Sequence, residues 1–243
     1  MKLTLLWMYH DLMDLYGDKG NIATLKYRFQ KRDINLEIRT CSINEKVNMA
    51  DIDIFFMGGG ADKEQNLIYQ DLLNRKNDIQ SLLANDCQFL LICGAYQLFG
   101  KYYKDQDGQI IKGLDFFPYY TEASDRNHRC IGNIVVETTL DNEKVKIVGF
   151  ENHGGQTKNV LTPFANVLYG HGNEYQSNYE GFVNKQVIAT YMHGPLLPKN
   201  PQLADYIIKK ALHKKGINMP LLTLNDEWEK KAKEVMLSRL HLK

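Results

Sequence analysis

The chain has 243 residues, with 30 basic against 29 acidic side chains, and a net charge of +1 gives no reason to expect nucleic acid or an anionic membrane as partner. At 44% hydrophobic and 24% charged residues it has the make-up of an ordinary soluble globular protein, long enough to bury a sizeable core. Its cysteines, Cys41, Cys87, Cys93 and Cys130, are widely spaced without a C-x-x-C pair, which suggests neither a zinc knuckle nor a disulfide framework and suits reduced thiols in the cytoplasm.

Lys2 to Tyr9 reads as a first core strand and not a signal peptide, because Asp11 and Asp14 follow at once. No segment approaches transmembrane length. Asp11 to Asn21 reads as a polar loop with Gly17 and Gly20, and Ile22 to Lys31 has helical spacing. Leu36 to Cys41 and Asp53 to Met57 suit strands, the second running into Gly58, Gly59 and Gly60. Helical patterns over Ala61–Asn74 and Asp78–Ala84 precede an apolar strand, Cys87 to Ile92. This alternation argues for a doubly wound α/β layer, with ligands at the carboxyl ends of its strands.

The middle of the chain changes character. Asp105 to Gly108 reads as a turn, and Gly132–Val136 and Val145–Phe150 are β-branched runs typical of strands. Tyr169 to Gly181 reads as loop, and Val187 to Met192 as another buried strand that stops at His193-Gly194-Pro195. Asn200–Lys215 is an amphipathic helix with Leu203, Ile207, Ile208 and Ala211 on one face. Asp226–Leu242 suits a second, with Trp228, Ala232, Val235 and Leu240 turned inward. Without repeat, low-complexity tract or linker, one domain over residues 1–243 is the economical expectation.

Chemistry concentrates at FLLICGAYQLFG, Phe89 to Gly100. A buried strand that becomes a helix within two residues leaves its corner residue strained and its side chain lifted clear, the nucleophile-elbow geometry with Cys93 as nucleophile. The N-terminus of the following helix favours a thiolate there. A thiolate needs a base and an oxyanion hole. His193, closing an apolar strand, is the best base. His153 in the Gly-flanked segment GFENHGG is its competitor, while His10, His171 and His213 lie in less structured contexts. Backbone N–H groups of the glycine run, Gly59 and Gly60 above all, can form an anion nest, with the Gly94 N–H as a further donor. The reading requires Cys93 and His193 side by side, with the sulfur open to solvent.

LLICGAYQ, GGGADKEQ, GFENHGG and TYMHGP, in this order, resemble class I glutamine amidotransferase domains of the cobyric-acid-synthase-like branch. Within it the chain is most similar to the small glutaminase subunits of lipid II isoglutaminyl synthases, a likeness that includes LMDLYGDKGN near the start and HGPLLPKNPQLADY near the end. The resemblance implies a mostly parallel central sheet flanked by helices. It implies L-glutamine as substrate, with Cys93 as nucleophile, His193 as base and then proton donor, and Arg129 binding the glutamine. Arg126 is the fallback for that last role. It further implies a heterodimer with a Mur-ligase-like subunit, MurT, that holds ATP and magnesium and reaches lipid II, this chain needing no cofactor of its own. The complex is expected in the cytoplasm, peripheral to the inner membrane face.

Two departures from the family pattern stand out. Ala95 replaces a glycine two residues after the nucleophile, tolerable at negative φ and costly at positive φ. No acid stands two residues after His193, so Asp18, Glu151 or an acid of the partner is expected to orient the imidazole. A stand-alone cysteine hydrolase and an inactive scaffold subunit are the alternatives to a glutaminase.

Overall fold

The computed structural model describes residues 1–242. The first part of the chain runs β1 (Lys2–Met8), α1 (Lys19–Gln30), β2 (Asn35–Cys41), β3 (Ile54–Met57), α2 (Asp62–Asn74), α3 (Lys76–Ala84), β4 (Gln88–Ile92) and α4 (Gly94–Phe99). A strand-rich stretch follows, with β5 (Tyr102–Lys104), β6 (Ile110–Lys112), β7 (Tyr120–Ala123), β8 (Cys130–Leu140), β9 (Glu143–His153) and β10 (Gly155–Lys158). It continues through β11 (Ala165–Tyr169), β12 (Tyr179–Glu180), β13 (Phe182–Val183) and β14 (Val187–Thr190), before α5 (Pro201–Lys214) and α6 (Glu227–Arg239).

The central sheet has the order β13-β14-β4-β3-β1-β2 and is parallel throughout except for β13. Strands buried on both faces become near-continuous apolar runs, and β3, β4 and β14 have that form. Phe55 stacks on Phe89 at 4.6 Å across β3 and β4, and Phe99 of α4 closes edge-on over both. The strand order places β4 between β3 and β14, with Met57 level with Leu91 and Thr190 level with Ile92. Three strand ends, leading to Gly58–Gly60, Cys93 and His193, therefore open on one ridge.

Two four-stranded sheets flank this layer, β10-β7-β5-β6 and β12-β11-β8-β9, the second built on the long β8–β9 hairpin. The short strands β5, β6, β7, β10 and β12 carry too few residues for a periodic signal, and β12 lies in the stretch read from sequence as loop. The supposed polar loop over Asp11–Asn21 holds a short 3₁₀ turn at Leu15–Gly17 and the first turn of α1.

The C-terminal helices part ways. In α5, Leu203, Ile207, Ile208 and Ala211 enter the core as their spacing predicts. Most of the inward face expected of α6 is not formed: Trp228 is 77% exposed, Ala232 and Val235 also face solvent, and of the four residues Leu240 alone is half-buried. Polar contacts tether it at both ends, Lys233 donating to the Lys146 carbonyl and Lys146 to that of Leu242. The buried Arg28 of α1 holds Asp226, just before α6, at 2.6 Å and Asp205 of α5 at 2.7 Å. Among the described residues, no helix is long and apolar enough to cross a membrane.

Candidate active site

Cys93 sits at the β4–α4 corner with φ 50° and ψ −100°. An L-residue held so far from the favoured regions costs on the order of 1–3 kcal/mol and persists only where its surroundings fix it. Here the Cys93 N–H donates to the Thr190 carbonyl of β14 at 2.8 Å, and its own carbonyl accepts from the Gln97 N–H at 3.0 Å. Ala95 lies inside α4, does not have positive φ, and buries its methyl in the core. The departure from glycine there carries no backbone strain.

His193 lies three residues beyond the end of β14, where its backbone exchanges hydrogen bonds with Phe150 of β9 at 2.7 and 3.2 Å. Its Nδ1–H donates to Asp18 Oδ1 at 3.3 Å. The other Asp18 oxygen accepts the Gly59 N–H at 2.7 Å, so one buried carboxylate ties the imidazole to the glycine loop. Gly59 shows how tightly these parts converge: a Cβ there would lie 2.6 Å from His193 Cε1, 3.3 Å from Cys93 Cβ and 3.4 Å from Asp18 Oδ2. Burial pulls the imidazole towards its neutral form, but the Cys93 sulfur and the Asp18 carboxylate outweigh it and raise its pKa to about 10. Of the two acids expected from this chain, Asp18 reaches His193. Glu151 instead accepts the N–H groups of His171 and Gly172 at 2.7 and 2.9 Å.

The glycine nest needs a correction. Gly59 was expected to offer its N–H to an oxyanion, but that N–H is spent on Asp18. The N–H groups of Gly60 and Gly94 have no partner among the described residues. They belong to abutting segments, since a Cβ on Gly94 would meet the Gly60 carbonyl at 3.1 Å. Gln65 braces this pair, its Nε2 donating to the Gly60 carbonyl at 3.1 Å and to Gln97 Oε1 at 3.0 Å.

His153 closes β9 and is not the loop residue its flanking glycine suggested. It stacks flat on Tyr191 at 3.7 Å and donates Nδ1–H to the Gly155 carbonyl at 2.7 Å. Burial lowers its pKa to about 3, so it stays neutral. Among the other histidines, His10 packs against Trp7, His171 stacks on Tyr175, and His213 is exposed near the end of α5.

Arg129 precedes β8 and donates from its guanidinium to Asn152 Oδ1 at 3.0 Å. Asn152 Nδ2 in turn donates to the Tyr16 hydroxyl at 2.6 Å, and the Tyr16 ring stands edge-on to His193 at 5.1 Å. The guanidinium lies close over Gly154, where a Cβ would come within 2.9 Å of Arg129 Nη1. Arg126 instead lines an open cleft of about 660 Å³ with Asp105, Asp107 and Glu122, and that cleft touches none of Cys93, His193 or Arg129. The sequence reading asked for an open sulfur, but Cys93 is 6% exposed and His193 fully covered. Tyr16, Asn152, Gln65 and Gln97 escaped that reading. All four flank or lie inside segments already singled out, and their neutral side chains gave no chemical cue.

A family model described as the CobB/CobQ-like glutamine amidotransferase domain matches residues 4–201. The chain belongs to this family. The lipid II isoglutaminyl synthase (glutamine-hydrolyzing) subunit GatD of Staphylococcus aureus (strain N315) is 37% identical over 238 residues, covering 98% of this chain and 96% of that protein. The GatD subunit of Streptococcus pneumoniae (strain ATCC BAA-255 / R6) is 38% identical over 216 residues, 88% of this chain and 82% of that one. A probable cobyric acid synthase of Methanococcus maripaludis (strain C5 / ATCC BAA-1333) is 29% identical over 163 residues, 64% of this chain but 32% of that protein. Among solved structures, a glutamine amidotransferase superposes with a TM-score of 0.56 at 10% identity, covering 85% of this chain and 98% of that one. The glutaminase domain of Trypanosoma brucei CTPS with bound acivicin gives 0.54 at 10% identity, covering 90% and 96%. Both share the α/β amidotransferase fold expected from the sequence.

Proposed function

We propose that this chain is the glutamine-hydrolysing subunit of a two-component enzyme that amidates lipid II. The observation that carries the chemistry is the convergence of Cys93, His193 and Asp18 around Gly59. The Cys93 sulfur attacks the side-chain amide carbon of L-glutamine, and the oxygen left with negative charge is met by the N–H groups of Gly60 and Gly94. His193 hands its proton to the departing nitrogen, and ammonia leaves. Water, deprotonated by His193, then attacks the thioester and releases glutamate. Asp18 keeps the imidazole aimed through Nδ1. The Arg129 guanidinium pairs with the substrate's α-carboxylate, for which its planar fork is suited.

The relatives' names describe the glutamine-hydrolysing subunit of a lipid II isoglutaminyl synthase, and their similarity extends over nearly the whole chain. On that basis the ammonia passes to a Mur-ligase-like subunit of the MurT type. That subunit holds ATP and magnesium and acts on lipid II at the cytoplasmic face of the membrane. The test is to co-express the chain with a Mur-ligase-like subunit and follow glutamate release from glutamine and amide formation on lipid II. Loss of both in Cys93→Ala, with an intact complex, is the expected result. Glutamine turnover that survives Cys93→Ala, or a complex that amidates lipid II without using glutamine, would reject the proposal.

A further inference from the structure

Cys93 and His193 are almost fully covered as folded, and the tyrosine packed against His193 is joined to the residue proposed to recognise substrate. Tyr16 is 43% exposed and lies edge-on against a His193 with no exposure of its own. Its backbone is left-handed, at φ 58° and ψ 24°, and the next residue, Gly17, also has positive φ. The flanking N–H groups of Leu15 and Gly17 donate to the Gly59 and Asp14 carbonyls at 3.0 and 3.2 Å. The Tyr16 side chain is anchored through its hydroxyl, which accepts from Asn152 Nδ2 at 2.6 Å. Asn152 is in turn held through Oδ1 by Arg129. Arg129 has no carboxylate within ion-pair distance among the described residues.

We infer that Tyr16 and Asn152 form a latch that makes the α-carboxylate of the substrate the condition for reaching Cys93. A carboxylate brings the guanidinium a full opposite charge and a second, parallel hydrogen bond, where the amide oxygen of Asn152 offers one neutral acceptor. Glutamine arriving at Arg129 therefore displaces Asn152 Oδ1, the freed amide turns, and the Tyr16 hydroxyl loses its donor. The ring then swings off His193 on a left-handed, glycine-flanked segment. Amides without a carboxylate cannot start this sequence, so the latch adds specificity that Arg129 alone would supply only as affinity. Tyr16 and Asn152 are positioning residues here, acting through His193 and Arg129. The inference rests on the roles proposed above for Arg129 and Cys93.

The test is the rate at which iodoacetamide, a small neutral reagent, alkylates each cysteine of the full-length chain, read by mass spectrometry. Tyr16→Phe keeps the ring and removes the hydroxyl. Losing one hydrogen bond of about 1 kcal/mol speeds Cys93 alkylation roughly fivefold in Tyr16→Phe and in Asn152→Ala. The double variant gains no more, because both changes break one link. 6-Diazo-5-oxo-L-norleucine, which carries its own carboxylate, labels Cys93 at similar rates in all of them. Unchanged iodoacetamide rates in both single variants would overturn the latch. So would multiplying effects in the double variant, or an equal gain at the buried Cys41, Cys87 and Cys130, which marks general loosening. Thiol rates that follow the latch while the co-expressed complex hydrolyses no glutamine would sink the glutaminase reading and leave the latch standing. Normal hydrolysis with flat thiol rates would do the reverse.

Discussion

The strand-end ridge that carries His193 and the β8–β9 hairpin that carries His153 bury their imidazoles equally well, yet leave them in opposite protonation states. On the ridge, the Asp18 carboxylate and the Cys93 sulfur hold His193 up at about 10. On the hairpin, His153 meets a tyrosine face and a backbone carbonyl, and burial dominates, helped by the nearby cations of His193 and Arg129, lowering it to about 3. Glu151 stands 3.9 Å from His153 Nε2, but burial pushes this acid up to about 7, so its charge is itself disfavoured. Burial by itself neutralises a titratable group, and a fixed opposite charge at contact distance is what makes a buried imidazolium. That difference selects the base where counting histidines could not.

The sharpest break comes from removing each imidazole in turn. His193→Ala is expected to lower glutamine hydrolysis by roughly 10²–10⁴-fold, the usual worth of a general acid–base, and Cys93→Ala to abolish it. His153→Asn should keep hydrolysis within about tenfold of the parent, because a neutral side chain has no proton to give at working pH. A steady-state glutaminase assay decides, and equal losses at both histidines would erase the contrast drawn here.

Asp18→Asn tests what holds His193 charged. Removing the carboxylate lowers the imidazole pKa, so the alkaline limb of the kcat/KM profile should move from near pH 10 towards neutrality, with activity down roughly tenfold or more. A limb that stays in place would assign the elevated pKa to Cys93 alone.

Glu180 extends the comparison to a buried acid without a cation. Its Oε1 accepts from Thr190 and the Tyr191 N–H, its Oε2 has no partner, and burial pushes its pKa up to about 8. A carboxyl raised in the folded state contributes stability that is complete below its unfolded value of 4.5 and lost as pH rises through 8. Glu180→Gln should therefore be more stable than the parent at pH 9, by on the order of a few kcal/mol, and gain little at pH 5. Thermal melts at the two pH values check the sign.

The smallest effect is expected at Trp228, whose ring is mostly in solvent. Trp228→Ala should change the stability of the isolated chain by no more than about 0.5 kcal/mol, measured by denaturant melts. A larger loss would mean that the ring is covered in solution.

Local sequence specified whatever depends on neighbours along the chain. The apolar run ending at Cys93, the glycines after Met57 and the strand before His193 are legible because a strand buried on both faces must be continuously apolar and its sharp exit needs small residues. Helix α5 is legible for a similar reason, its stripe being wide enough to demand a core. Asp18 was visible only as one acid among several, and its selection over Glu151 needed the start of α1 brought against the end of β14. The Gly59 N–H, free by every local criterion, is occupied because that same carboxylate lies within reach. The orientation of α6 involves contacts between distant residues, Arg28 with Asp226 and Lys146 with Lys233 and Leu242, which the helix's own periodicity does not show. Protonation, access to Cys93 and the joining of Arg129 to His193 through Asn152 and Tyr16 arise from charges and hydrogen bonds across long sequence separations. Only the folded chain fixes those distances, and electrostatic energy depends on distance and burial rather than on order in the chain.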